Sequence, residues 1–348
     1  MKKLILFSML AALIGFNACS TKVELYADYK DIPIIYGLLN SSQDTNFVRI
    51  NRAFSGNNDN PINANQVALI ADSCNYPGKL KAYIVEYKES YGGSYTPTGD
   101  TLMLDTITIH DKQEGAFYAP DQKVYFTTGR EKFLNNSANT TYKYKLFVFK
   151  DNDTVRAETG LVGGQEFKII TSSLSFSAEP NDRTKKIKFT SANNAVFYDM
   201  KMVFNYQESV NGGPLTDKKV VYSFGSKNTD ELANEDQMYI MFYGENTLFN
   251  LLEEAIGADT VLYPAHPNVV RYFEKKPMQI YLSAGGYELY NYIQVNSQSG
   301  FSQTIPDYTN IIGGYGVFSS RVNLMKEVSI SGSTERDLYG KPWGFVEH

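Results

Sequence analysis

Strict alternation of side-chain character is the feature that most constrains what this chain can fold into. Residues 142–150 place Tyr142, Tyr144, Leu146 and Val148 opposite a second row of lysines and phenylalanines. Successive side chains of a β-strand point to opposite faces, so a pattern that repeats every two residues predicts that this segment is a strand. The same period recurs over Lys81–Lys88, Asp199–Tyr206 and Met278–Ser283. A large content of 26 Tyr and 21 Phe against one Trp also favours β-structure.

Turn residues separate these strands and set the expected fold class. Tyr142–Lys150 and Val155–Gly160 flank the turn sequence Asp-Asn-Asp-Thr, which is typical of a hairpin. We therefore expect a mainly β protein built from antiparallel sandwiches. Residues 23–172 are predicted to form an immunoglobulin-like or transthyretin-like β-sandwich, and residues 173–348 a second β-rich domain with one or two helices. The boundary is placed near Ser172–Asp182.

Two segments of the second domain have helical periodicity. The first follows Asn246, a good N-cap residue, and ends before Gly257. Its apolar stripe predicts a helix near 246–256 that packs on the domain: Leu248, Leu251, Leu252, Ala255 and Ile256. The second is Tyr287–Gln298, in which Leu289, Tyr290 and Ile293 are expected to face inward.

The N-terminus has the pattern of an export signal. Lys2 and Lys3 precede an apolar run over Leu4–Phe16, which is too short to cross a bilayer core that needs about 20 helical residues. The following Ala-Cys-Ser resembles the lipobox of bacterial lipoproteins. That resemblance implies removal of residues 1–18, acylation of Cys19 and a short tether over residues 19–22. A plain secretory signal is the alternative. Ser20 resembles the residue found there in lipoproteins sorted to the outer membrane, so an outer-membrane location facing the periplasm or the exterior is expected.

Charge and cysteine content exclude several classes of protein. Without its first 19 residues the chain keeps 31 basic and 38 acidic side chains, a net charge near −7. This balance argues against nucleic acid or an anionic membrane surface as the main partner. Cys74 would be the only remaining cysteine, so no intramolecular disulfide is expected. Cys74 is interpreted as a small residue in a turn, with a nucleophile as the alternative.

The sequence contains no recognisable catalytic, cofactor or metal motif. The three histidines, His110, His266 and His348, are scattered, whereas a zinc site needs clustered ligands. His110 next to Asp111 is interpreted as a polar strand end, with a general base as the alternative. Four acids, Asp230, Glu231, Glu235 and Asp236, form either a solvated loop, a calcium site or a carboxylate pair.

Two further polar or glycine-rich segments are interpreted as structural. Asn57–Asn60, with Asn63 and Asn65, is rich in oxygen ligands but lacks the spacing of a calcium loop, so it is expected to be an exposed connection. The glycines of Ile311–Phe318 precede an extended segment rather than a helix. They predict a bend where backbones approach closely, not a dinucleotide loop. No catalytic residue, cofactor or metal is predicted.

Several short segments resemble the uncharacterised cell-envelope lipoproteins of Bacteroidota. These segments are Ile34–Asn40, Phe47–Phe54, Gly115–Tyr118 and Asn310–Phe318. Members of that broad group are often encoded near TonB-dependent outer-membrane receptors. The resemblance implies a cell-envelope setting and identifies no catalytic residue.

Three functions are compatible with this sequence. The first is a non-enzymatic binding or accessory module of a nutrient-uptake or surface assembly, with a TonB-dependent receptor or a surface glycan as partner. The second is a surface hydrolase of polysaccharide or peptide, whose acids meet only in the folded chain. The third is a structural or adhesive envelope component.

Overall fold

The computed structural model describes residues 31–53, 64–128, 142–164, 166–177, 184–232, 238–256, 268–297 and 308–347, and these form sixteen strands and five α-helices. The first eight strands are β1 Pro33–Asn40, β2 Thr45–Arg52, β3 Lys81–Glu89, β4 Tyr95–Met103, β5 Asp105–Ile109, β6 Gln122–Thr128, β7 Tyr142–Lys150 and β8 Asp153–Gly160. The others are β9 Ser173–Leu174, β10 Thr184–Phe189, β11 Phe197–Val210, β12 Thr216–Asn228, β13 Met238–Tyr243, β14 Val269–Tyr272, β15 Met278–Gly285 and β16 Tyr315–Ile330. The helices are α1 Ala64–Ala68, α2 Ala71–Cys74, α3 Gly244–Ile256, α4 Tyr287–Ser297 and α5 Gly332–Gly340.

The first hydrophobic core lies between two sheets. One is a four-stranded antiparallel sheet in the order β4-β3-β7-β8. The other is the half of a large sheet that contains β16, β1, β2 and β6. Ile35, Ile50 and Phe318 of the large sheet share this core with Ile84 and Leu146 of the small one. The predicted mainly β class and sandwich arrangement are confirmed.

The second core covers the other half of the large sheet. Three alternating residues of the predicted strand Asp199–Tyr206 are buried here: Met200, Met202 and Phe204 of β11. They pack with Ile280 and Leu282 of β15. Helix α3 packs on this core through Leu248, Phe249, Leu252 and Ile256. The helix predicted near 246–256 is therefore confirmed, and it contributes apolar area to the core as its periodicity indicated.

Strand β16 contributes to both cores. Its first half pairs in parallel with β1, from Ile34 with Tyr315 to Asn40 with Arg321. Its second half pairs antiparallel with β15, from Gly285 with Arg321 to Met278 with Val328. Phe318 lies in the first core, whereas Val322, Val328 and Ile330 lie in the second. The large sheet thus contains strands from both sides of the proposed boundary near residues 172–182, and that boundary stays a prediction.

Glycines at the start of β16 allow β1 to come close. Gly313 and Gly316 have φ angles of +86° and +109°. A β-carbon on Gly316 would lie 2.0 Å from the carbonyl oxygen of Ile35. The predicted bend with close backbone approach is confirmed, because the extended β16 begins at Tyr315, between these two glycines.

Several helical features differ from the expectation. Helices α1 and α2 were not predicted, and α2 ends at Cys74, where a turn was expected. Helix α4 forms over the predicted segment, yet none of its residues is buried and Ile293, expected to face inward, is 43% exposed. Helix α5 was not predicted; it begins after the N-cap Ser331 and places Leu338 in the second core. The predicted signal peptide, Cys19 and the tether lie outside the described residues.

Candidate functional site

A groove with a volume of about 410 Å³ lies between helix α4, the outer face of β7 and β8, and the segment that leads into β16. We call it the α4–β8 groove. Its walls are formed by Lys145, Phe147, Arg156, Ala157, Glu158, Tyr287, Glu288, Tyr308, Asn310 and Ile312. Aromatic side chains with a few polar groups are typical of small-ligand sites.

The wall opposite α4 is an extension of the small sheet. Ile312 exchanges both backbone hydrogen bonds with Arg156, at 2.8 and 3.1 Å. The side chain of Asn310 donates to the carbonyl oxygens of Glu158 and Phe318 and accepts from the Phe318 amide. Asn310 therefore fixes this segment against both β8 and β16, and its amide positions the wall.

Glu288 holds the first turn of α4 in place. Its Oε2 accepts hydrogen bonds from the Thr159 hydroxyl at 2.9 Å and the Ser319 hydroxyl at 3.0 Å. The same Ser319 oxygen accepts from the Leu289 amide at 3.2 Å. A carboxylate at a helix N-terminus also interacts favourably with the helix dipole. Glu288 thus joins α4 to strands of both sheets.

Glu158 is neutralised by two lysines of β7. Its carboxylate lies 3.2 Å from Lys145 Nζ and 3.5 Å from Lys143 Nζ. Partial burial opposes its ionisation, but the hydrogen bonds and charges of these lysines outweigh that effect and hold its pKa below the usual range. Each ammonium also lies over an aromatic ring, Lys143 over Tyr95 and Lys145 over Tyr87. Glu158 is therefore an ionised, paired carboxylate and not a proton donor at neutral pH.

The accessible surface of the groove is largely apolar. Tyr287 is 60% exposed and Ile312 is 71% exposed. Burial raises the pKa of Tyr308, whose hydroxyl is hydrogen-bonded to Asn291, so this ring is a neutral phenol. These side chains are suited to contact the face of a ring-shaped ligand, since tyrosine combines apolar area with a polar tip.

The carboxyl group with a raised pKa lies elsewhere. Glu86 on β3 is 3% exposed and faces the first core, where it accepts a hydrogen bond of 2.5 Å from the Tyr144 hydroxyl. Burial raises its pKa above the usual range. Because Glu86 does not line the groove, it is not placed to transfer a proton to a ligand there.

The histidine and cysteine candidates occupy separate places. His110 Nδ1 lies 2.7 Å from Asp121 Oδ1 on an exposed surface, rather than being paired with Asp111. Cys74 ends helix α2, and its thiol donates to the carbonyl of Ala68. Burial raises the pKa of this thiol, which disfavours the nucleophilic thiolate. His266 and His348 lie outside the described residues.

The acidic cluster is only partly described. Asp230 and Glu231 form a short 3-10 helix, and Glu231 pairs with Lys227 at 3.3 Å. Glu235, Asp236, Asn57–Asn60 and Asn63 lie outside the described residues. Across the described ranges, no group of three or more His, Cys, Asp or Glu side chains is close enough to hold a metal ion.

A second cavity of about 370 Å³ lies on the opposite part of the molecule, between β11, β12, β15 and the loop after β14. Amide and acid side chains pair across its strands, Gln207 with Asp217 at 2.9 Å and Gln279 with Glu327 at 3.4 Å. Four of its polar side chains are thus engaged with each other. The α4–β8 groove has the more apolar lining and is the better candidate site.

The chain matches no protein-family model, and a search of curated proteins gives no match. Within the described residues, no helix combines the length and the apolar character needed to cross a membrane.

Proposed function

We propose that this chain is an outer-membrane lipoprotein whose body binds a surface or nutrient glycan in the α4–β8 groove, as a non-enzymatic accessory module of an uptake or other surface assembly. Acyl chains on Cys19 hold it at the envelope, since stable anchoring takes more than one chain. A TonB-dependent receptor is the expected protein partner.

The observation that carries the binding role is the aromatic wall of the groove. Tyr287 is widely exposed at the first residue of a helix whose start is fixed by Glu288. Phe147, Tyr308 and Ile312 complete an apolar surface around the cavity. Pyranose rings carry C–H groups on their faces and hydroxyls at their edges. A groove lined by aromatic side chains and a few polar groups matches that pattern.

The non-enzymatic role is supported by the state of the acids in this groove. Glycoside hydrolysis needs one carboxyl with a raised pKa and a second carboxylate on the other side of the scissile bond. Glu158 has a lowered pKa because of its lysine partners, and Glu288 is occupied by two hydroxyl groups. Neither is arranged as a general acid.

The test is binding of the full-length protein, in mild detergent, to a panel of plant and microbial oligosaccharides. Tyr287→Ala should weaken binding about tenfold, because truncation of an exposed aromatic anchor typically costs more than 1 kcal/mol. Tyr91→Ala is the matched control, since Tyr91 is fully exposed at the β3–β4 turn, away from the groove.

Two results would contradict the proposal. Absence of binding to every saccharide on the panel would remove the glycan-binding role. Release of shortened saccharide products by the protein would show a hydrolase instead.

A further inference from the structure

Two charged side chains that line the α4–β8 groove, Arg156 and Glu288, have no ion pair among the described residues. Lys143 and Lys145 both pair with Glu158, and Glu288 accepts from two hydroxyls. Arg156, exposed at the centre of β8, uses its backbone to pair with Ile312. Among the described residues its guanidinium has no ion pair or hydrogen bond. Among these residues Arg156 is therefore the cation left to pair with a ligand, whereas the Glu288 carboxylate is already held by two hydroxyls.

The neighbours of Arg156 form an apolar row across the sheet. Phe147 is its partner on β7, Tyr83 is the partner of Phe147 on β3, and Ile312 lies on the other side. The rings of Tyr83 and Phe147 are 5.4 Å apart. Because Arg156 is exposed beside this apolar row, its guanidinium is accessible to a ligand anion.

The shape of the cation selects the kind of anion. A guanidinium presents its N–H donors in a planar fork that matches the two oxygens of a carboxylate. The negative charge of the whole protein does not oppose this contact, because charges more than about 8 Å apart are largely screened at physiological salt. The contact between the Arg156 guanidinium and a ligand carboxylate acts over a shorter distance than this.

We propose that the α4–β8 groove binds an acidic saccharide, with the carboxylate of a uronic acid held by Arg156 and a sugar face against Tyr287. This inference rests on the proposed glycan-binding function and narrows its ligand class. Arg156 is then the residue that determines specificity, and the aromatic wall supplies affinity that does not depend on charge.

The experiment compares acidic oligosaccharides with their own neutral forms. Oligogalacturonate, alginate oligomers and unsulfated chondroitin oligomers are each titrated into the full-length protein, in mild detergent, before and after chemical reduction of their carboxyl groups. At least one uronate oligomer should bind, and its reduced form should bind about tenfold more weakly, because a hydrogen-bonded charge pair is lost. Neutral glucans and chondroitin sulfates complete the panel.

Variants of Arg156 test the contact between the guanidinium and the ligand carboxylate by changing the protein instead of the ligand. Arg156→Gln should weaken uronate binding about tenfold and leave binding of the reduced form within about twofold. Arg156→Lys keeps the charge but not the fork, so it should give an intermediate affinity. Arg321→Gln is the matched control, since Arg321 is an exposed arginine of β16 that does not line the groove.

The outcomes separate this inference from the proposed function. Equal binding of acidic and reduced oligosaccharides, binding of neutral or sulfated saccharides only, or unchanged uronate binding by Arg156→Gln would overturn the acidic ligand and leave glycan binding in place. Absence of binding to every saccharide tested would overturn both.

Discussion

Glu86 illustrates how one side chain can link the fold to pH. Its strand neighbours Ala82 and Ile84 are apolar and face the same core. Tyr144 donates to Oε2, whereas Oε1 has no hydrogen-bond partner among the described residues. A buried carboxylate with incomplete hydrogen bonding is costly, so burial raises the pKa of Glu86.

Because the folded-state pKa lies above the unfolded value, this group favours folding when it is protonated. That contribution is fully present below the unfolded pKa of about 4.3 and is lost as pH rises through the raised folded pKa. Each unit of elevation corresponds to about 1.4 kcal/mol. We therefore expect Glu86→Gln to unfold at a higher urea concentration than the wild type at pH 8, and the difference to shrink towards pH 4.5.

Glu89→Gln is the control for this change, because Glu89 lies on the same strand and is only half-buried. It should leave the pH dependence of the urea midpoint as it is in the wild type. If wild type and Glu86→Gln showed the same dependence on pH, the assigned cost of ionising Glu86 would be wrong.

At the level of secondary structure, the sequence predicted those strands and helices whose buried faces repeat with a regular period. Three strands and one helix form as expected, because the apolar residues of their buried faces recur at regular intervals in the sequence. These are the strands over 142–150, 199–206 and 278–283 and the helix over 246–256. The position of helix α4 was predicted correctly, but the burial of its apolar face was not. Its inward face was inferred from a 3.6-residue period, yet α4 lies on the rim of the groove with no buried residue.

Contacts between distant segments could not be predicted in the same way. The groove combines residues from β7, β8, α4 and the segment 308–312, and no local pattern brings Arg156 next to Ile312. The available signals were the aromatic content of 287–292 and the glycines before β16. Parallel pairing of β1 with β16 joins residues about 280 positions apart, such as Ile34 and Tyr315, and the sequence alone does not specify this pairing.

Gly316 tests that parallel pairing. Gly316→Ala should lower the free energy of unfolding by at least about 2 kcal/mol, because its φ is in the left-handed region and a β-carbon would overlap the Ile35 carbonyl. Urea unfolding followed by tyrosine fluorescence measures the loss. Gly332→Ala, in the first turn of α5 with open space around it, should change stability by less than about 1 kcal/mol. Equal effects of the two substitutions would argue against the close approach of β1 and β16.

For the whole molecule, the long strand β16 contributes to both cores. The second half of β16 packs with α3 and α5 in one core, and the first half supports the sandwich and the groove in the other. The groove lies on the outer face of the sandwich, where a large ligand can reach it. The proposed function assigns attachment to the membrane to acylated Cys19.

The intact mass of the protein recovered from the membrane fraction tests this assignment most directly. We expect a chain that begins at Cys19, without the first 18 residues, and that carries the additional mass of two or three fatty acyl chains on its first residue. A chain with a free thiol at Cys19, or a mature protein found free in the culture medium, would contradict the account.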